Sequence, residues 1–292
     1  MKKQSILSAF ALFTAGATIS LLALAFTPRP TKTAVLAMPM CHGTSDTAVF
    51  ASFAKDQNFL NAHPSPLPVA LTGKGAMIDF PVEGGVIGHG YLVKTRKKTD
   101  KYLLLFQEWW GLNDFVKNEA DLWSKELGIN VLAIDLYDGK VAVTAEEAGK
   151  LMQANDPARS SALIIAAAKH LGDKADFRTM GWCFGGGWSL QAALLLKGKI
   201  KGCVMYYGMP EKDLAKLGGL ASDVLFIHAT QDEWITGQVV TEFETNMKSA
   251  RKNVQVYHYE ANHAFANPSS PRYNEASAKE CRKVVKAYLL GK

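Results

Sequence analysis

Beyond residue 100 the chain alternates between two hydrophobic patterns. Short unbroken apolar runs, such as Tyr-Leu-Leu-Leu-Phe at 102–106, suit strands buried on both faces, whereas stretches with an apolar residue every three or four positions suit helices with one face inward. The runs predict strands over 102–106, 130–136, 177–182, 200–207, 224–229 and 254–260. The periodic stretches predict helices over 113–127, 144–153, 158–171, 184–196, 236–250 and 273–290. Strand followed by helix, repeated at this spacing, predicts an α/β fold with one mostly parallel sheet and helices on both faces. Ahead of it, Met-Ile-Asp-Phe-Pro-Val and Gly-His-Gly-Tyr-Leu-Val flank a glycine-rich turn within 76–93, which predicts an edge hairpin.

The first 74 residues follow a different pattern. Met-Lys-Lys precedes an uncharged run over 5–26 that ends in Ala23-Leu24-Ala25 before Thr27-Pro28-Arg29-Pro30. A basic start, an apolar centre and an A-x-A-like end predict a secretory signal peptide cut after Ala25. The run, at about 20 residues, is also long enough to span a bilayer, so an uncleaved anchor is the alternative. Either way the protein is expected to be exported, periplasmic or secreted, and to touch a membrane only if the segment is retained. Val49, Phe50, Phe53, Phe59 and Leu60 recur at roughly helical spacing behind Asp46, predicting a short amphipathic helix within 46–63. His63-Pro-Ser-Pro-Leu-Pro68 then reads as a spacer between this arm and the main domain. The expected organisation is a signal or anchor at 1–26, an N-terminal packing arm at 27–74 and one domain at 75–292.

Composition narrows the chemistry. Apolar residues make up 48% of the chain and charged residues 21%, enough for one large core. The net charge of +6 comes from scattered lysines, so no nucleic-acid partner is inferred. Cys41, Cys183, Cys203 and Cys281 show no C-x-x-C or zinc-ligand spacing, so neither a metal nor another cofactor is expected. Cys203 lies in an apolar run and is expected to be buried; if any pair is bridged, it is Cys41 with Cys281.

One stretch carries a candidate nucleophile. Gly181-Trp-Cys183-Phe-Gly185 joins a predicted strand to a predicted helix, the G-x-S-x-G turn with sulfur in place of oxygen. Small residues on either side let the chain turn sharply and expose the central side chain, while the helix N-terminus favours a thiolate. The same glycines fail the G-x-G-x-x-G and Gly-Lys-Ser/Thr patterns, because Leu190 stands where the third glycine is needed and no Lys follows Gly186. A buried structural thiol is the plain alternative. After the 224–229 strand comes Asp232, with Glu233 as a rival acid, and after the 254–260 strand comes His263. The order nucleophile, acid, base places a thiolate, a proton carrier and a carboxylate to orient it at the carboxyl ends of parallel strands. Each also has a plain reading, Asp232 as a helix cap and His263 as a loop histidine. The elbow geometry implies an oxyanion hole from the Phe184 N–H and, after the first core strand, the Trp109 N–H.

The motifs Gln107-Glu108-x-x-Gly111, Asp135-Leu-Tyr-Asp-Gly139, Gly-x-Cys183-x-Gly-Gly, Tyr206-Tyr-Gly208, Gln231-Asp232 and His263-x-Phe265, kept in this order, resemble the dienelactone hydrolase family. The resemblance implies the α/β-hydrolase fold and a Cys183, Asp232 and His263 triad. It also implies that Glu108 holds the resting thiol and takes its proton when substrate displaces it. Family members that cleave dienelactone carry two arginines for the substrate carboxylate. Here no Arg or Lys stands between Lys140 and Lys150, and Asn267 occupies the second position. With Trp109, Trp110, Phe184 and Phe265 nearby, the expected substrate is a small uncharged lactone or carboxylic ester, cleaved by a monomer without cofactor. A thioesterase, a general carboxylesterase, a non-catalytic binding protein of the same fold and a membrane-tethered scaffold are the competing readings.

Overall fold

The computed structural model describes residues 46–291, so Cys41 and the predicted signal segment lie outside the described residues. Within them eight strands form one sheet in the order β1-β2-β4-β3-β5-β6-β7-β8. The strands are β1 (Ala76–Pro81), β2 (Ile87–Val93), β3 (Lys101–Phe106), β4 (Asn130–Ile134), β5 (Asp176–Trp182), β6 (Ile200–Tyr206), β7 (Val224–Ala229) and β8 (Val254–Tyr259). The hairpin β1-β2 is antiparallel and joins β4 antiparallel, and every pairing from β4 through β8 is parallel. This is the expected architecture. The central strands β4 and β7 are buried along their whole length, whereas β8, at the edge, buries only Tyr259 fully. That contrast explains why the inner strands read as unbroken apolar runs.

The helices follow the predicted stretches closely: α3 (Asp114–Leu127), α4 (Ala145–Ala154), α5 (Pro157–His170), α6 (Phe184–Leu196), α8 (Gly237–Ser249) and α9 (Glu275–Leu290). Side-chain caps fix their starts; Thr144 and Glu147 form a capping box on α4, and Asn113 accepts from the Val116 N–H on α3. Strand β4 stops two residues short of its prediction. There the Asp135 carboxylate accepts from the N–H groups of Tyr137 at 2.8 Å and Gly139 at 2.5 Å and bends the chain away from the sheet. Helix α7 (Leu214–Leu217) was not predicted, since four residues are too few to show a period.

The arm differs more. The single amphipathic helix expected is broken into α1 (Asp46–Ser52), a 3₁₀ turn (Phe53–Lys55) and α2 (Gln57–Asn61). Asp56 breaks it by adopting an extended backbone and capping α2 through the Asn58 N–H at 2.9 Å. Nor does the proline-rich segment hold the arm apart: α1 packs on α4 and α6, and the Leu67 N–H donates to the Ser269 carbonyl at 2.7 Å. Fixed proline φ angles keep this stretch extended along the domain surface instead of looping away from it. The pairing suggested for Cys41 with Cys281 falls on a residue outside the described ones. Cys281 is a fully buried free thiol beside the Tyr206 hydroxyl, and Cys203 is buried as expected. No described helix is long and apolar enough to cross a membrane.

Candidate active site

Strands β3, β5, β7 and β8 run parallel, so their carboxyl ends lie on one side of the sheet, and the turns that follow them carry Glu108, Cys183, Asp232 and His263. Between β5 and α6 the backbone at Cys183 takes φ 56 and ψ −122, a region L-residues avoid. Only glycine fits around it. A Cβ on Gly181 would sit 2.1 Å from the Gly185 carbonyl oxygen, and one on Gly185 would sit 2.2 Å from that of Phe106. The strained turn is pinned from both sides, by the Cys183 N–H donating to Tyr206 O at 3.0 Å and the Gly186 N–H donating to Cys183 O at 2.9 Å.

Asp232 accepts the Trp234 and Ile235 N–H groups at 3.0 Å each on one oxygen and His263 Nδ1 at 2.5 Å on the other. Because a carboxylate only accepts, Nδ1 carries the proton and Nε2 is left toward the nucleophile. Glu233, the rival acid, is exposed. Burial opposes charging the His263 ring, but Asp232 and then Cys183 outweigh it and hold the imidazolium well above the ordinary histidine range. Burial likewise opposes ionising Asp232, and His263 with the two N–H groups overcomes it, lowering that carboxyl. Burial raises the Cys183 thiol; His263 opposes this, and Glu108 adds to it. His263 Nε2 has no partner of strict hydrogen-bond geometry among the described residues, but the ring lies near enough to the Cys183 sulfur for each group to shift the other through charge and hydrogen bonding.

Glu108 is arranged differently from the expectation that it holds the resting thiol. The Asn267 side-chain amide donates to its Oε2 at 2.5 Å, while Oε1 has no partner among the described residues. Asn267 is itself fixed by the Ser269 N–H and hydroxyl at 2.8 and 2.7 Å. Burial pushes Glu108 up to about 7 against the pull of Asn267 and His263. In this resting arrangement its influence on Cys183 is through charge. The Phe184 N–H lies close enough to the sulfur to favour the thiolate, as an oxyanion donor would, and Trp109 follows Glu108 with its ring buried. Trp110 lines a narrow cavity of about 20 Å³ beside His263. Phe265 does not line it; the ring is wholly buried against Tyr207 and Tyr259, because the positive φ of the preceding Ala264 turns it into the core.

The arm supplies what sequence reasoning missed. Phe50 stacks on the His263 ring at 6.3 Å, and His63 meets it edge-on at 5.1 Å. Phe59 wedges between Trp109 and Trp234 at 5.2 and 5.0 Å, and Cys183 is only 2% exposed. Arg272 also lines the narrow cavity and has no carboxylate partner among the described residues. Arg159, by contrast, is engaged by Asp138. The i, i+4 pair Phe59 and His63 was a readable sign of a helix end, but nothing local indicated which surface it covers.

Comparison with known proteins comes last. Residues 89–290 match the model of the dienelactone hydrolase family. The chain is 27% identical over 204 residues to Protein usf of Aquifex pyrophilus, covering 66% of this chain and 87% of that one. It is 25% identical over 210 residues to carboxymethylenebutenolidase 1 of Cupriavidus pinatubonensis, with the same coverage. Among solved structures, a dienelactone hydrolase-like promiscuous phosphotriesterase, P91, from metagenomic libraries superposes with a TM-score of 0.64 at 20% identity, covering 75% of this chain and 98% of that one. That likeness is one of fold. The arm at 46–63 precedes the segment that the family model matches.

Proposed function

The chain belongs to the dienelactone hydrolase family, and from that premise we propose that it hydrolyses a small lactone or carboxylic ester through a thioester on Cys183. The observation that carries this reading is the Cys183 elbow, at φ 56 between two obligatory glycines, facing a histidine bound to Asp232 at 2.5 Å. In the acylation step Cys183 Sγ attacks the carbonyl carbon and its proton passes to His263 Nε2. The N–H groups of Phe184 and Trp109 receive the oxyanion. The C–O bond then breaks and His263 protonates the departing oxygen. In the second step water gives a proton to His263 as its oxygen bonds to the thioester carbon, the C–S bond breaks, and His263 returns that proton to the Cys183 sulfur. Asp232 keeps the imidazole in the tautomer that both steps need. Glu108 is the alternative first acceptor of that one thiol proton once substrate is bound, passing it on to His263, and its raised pKa suits it to the role.

An uncharged substrate is favoured by the surroundings. The aromatic groups Trp109, Trp110, Phe50 and Phe59 crowd the site, and Asn267 binds Glu108 instead of reaching outward. A second reading, in which the substrate carries a carboxylate, is favoured by Arg272 at the cavity. Turnover of a carboxylate-bearing lactone and its methyl ester, by wild type and Arg272→Gln, separates the two. Preference for the methyl ester, unchanged in the variant, is expected; preference for the acid that disappears in Arg272→Gln establishes the second reading. Intact-mass detection of an acyl adduct during turnover, absent in Cys183→Ala, tests the covalent step, and a normal rate in Cys183→Ala would end the proposal. We also propose export, supported by the 5–26 run; N-terminal sequencing of the mature protein distinguishes cleavage after Ala25 from retention.

A further inference from the structure

His63 comes from the arm, outside the segment matched to the family, yet its ring is packed into the catalytic cluster. It lies 4.1 Å from Phe59, 5.0 Å from Trp109 and 5.1 Å from both Trp234 and His263 by ring centroids. Its Nδ1 is 2.6 Å from the Phe59 carbonyl oxygen. A carbonyl can only accept, so Nδ1 carries the proton and Nε2 bears a lone pair. The residue is 6% exposed, and that Nε2 has no partner among the described residues. Leaving a buried acceptor unsatisfied carries the full cost of its desolvation, so a donor is expected to meet it. The adjoining space suits a water molecule as that donor. His63 and His263 both line the cavity of about 20 Å³, which has room for one water molecule.

We propose that His63 is a catalytic residue contributed by the arm, whose Nε2 accepts a hydrogen bond from the water that hydrolyses the acyl-enzyme. This rests on the thioester reading above. One hydrogen of the water faces His63 Nε2 and the other faces His263 Nε2, which directs an oxygen lone pair at the thioester carbon. As the C–O bond forms, the proton goes to His263, which Asp232 stabilises when charged. His63 keeps its single proton throughout. Burial, and then the neighbouring His263, depress its pKa to about 3, so it stays a neutral acceptor while its neighbour cycles. The arm thus shields the acyl-enzyme from bulk water and orients the one molecule that reacts.

The test is pre-steady-state hydrolysis of an aryl ester by wild type, His63→Phe and His63→Gln, with intact-mass quantification of the Cys183 adduct. Phe retains the packing and lacks the acceptor; the Gln amide oxygen can replace Nε2. In His63→Phe we expect deacylation to slow at least about tenfold with acyl-enzyme accumulating, while the acylation rate stays within about twofold. His63→Gln should recover most of the deacylation rate. Equal slowing of both steps, or of acylation alone, overturns the proposal and makes His63 a packing or substrate-recognition residue. Unchanged deacylation in His63→Phe likewise overturns it, while leaving the thioester mechanism intact. Absence of any Cys183 adduct in the wild type removes the mechanism itself, and this proposal with it.

Discussion

Cys183 and Phe59 belong to the same buried cluster, but the protein holds them by different means. Around Cys183 the constraint is covalent geometry and backbone hydrogen bonding, with a strained φ pinned to Tyr206 and glycines whose replacement would drive a Cβ into a carbonyl. Around Phe59 the constraint is packing. The arm's helices have seven and five residues, too short to persist alone, and they are held by ring contacts to Trp109, Trp234 and Phe50 with a few polar ties. A backbone-locked site cannot rearrange without unfolding the sheet, whereas a packed arm can open locally at a fraction of the global free energy. Chemistry on the rigid part and access through the loose part is the division that this contrast implies.

The hardest test of the rigid half is removal of the sulfur. Cys183→Ala should lower kcat by about 10⁴-fold or more while leaving the thermal midpoint nearly unchanged, since Ala accepts the backbone that Cys already adopts. Measurable turnover near the wild-type rate would move the chemistry elsewhere. Next is Glu108→Gln, expected to cost about 10²-fold in kcat/KM. With burial raising Glu108 to about 7, its proton-accepting carboxylate forms as pH rises through neutrality, so activity should climb across that range in the wild type. The corresponding limb should disappear in the Gln variant. A rate profile identical in both proteins reduces Glu108 to a structural partner of Asn267.

Phe59→Ala examines the loose half. Truncating a buried Phe removes on the order of 3–5 kcal/mol of packing, and here that loss should fall on arm docking more than on the sheet. Iodoacetamide should then label Cys183 at least about tenfold faster with little change in the unfolding transition of the domain. A large drop in thermal midpoint without faster labelling would mean that the arm and the sheet unfold as one unit, and the contrast would fail.

The two halves were also unequally legible. Inner strands announce themselves because burial on both faces leaves only apolar residues, and the elbow does so because only glycine tolerates carbonyl oxygens about 2 Å from its would-be Cβ. Cys183, Asp232 and His263 could be ordered along the chain for the same reason: each ends a strand whose position the pattern fixes. The arm has no such constraint. Its Phe50, Phe59 and His63 reveal an apolar face but not its partner, since contacts between residues some 200 positions apart leave no local period. The same limit hid the Glu108–Asn267 bond and placed Phe265 in the pocket, because one positive φ at Ala264 reverses the direction of the side chain that follows.

The smallest expected effect concerns the polar tie at the start of the arm. Asp46, buried at the first turn of α1, faces Glu211, with the Lys212 N–H at 3.2 Å and Lys216 bound to Glu211 at 3.1 Å. Gln191 also donates to Glu211, Lys212 reaches away to Glu242, and Asp213 adds negative charge beside Lys216. Burial first, and then the hydrogen bond and charge of Glu211, raise the Asp46 carboxyl from 3.8 to about 7. The docked arm therefore binds this proton more tightly than an undocked one. Its contribution to docking is complete below about pH 4 and is lost as pH rises through 7. Glu211 shifts the other way, from 4.5 to about 2, so its contribution is lost only in strong acid and leaves the neutral window to Asp46. Amide exchange over residues 46–63, corrected for intrinsic rates, should accelerate a few-fold between about pH 6 and about pH 8. Asp46→Asn keeps a donor to Glu211 at every pH, so its exchange should stay flat across that interval. An Asn variant with the wild-type pH response would assign the effect to another group and leave ring packing as the arm's only hold on the sheet.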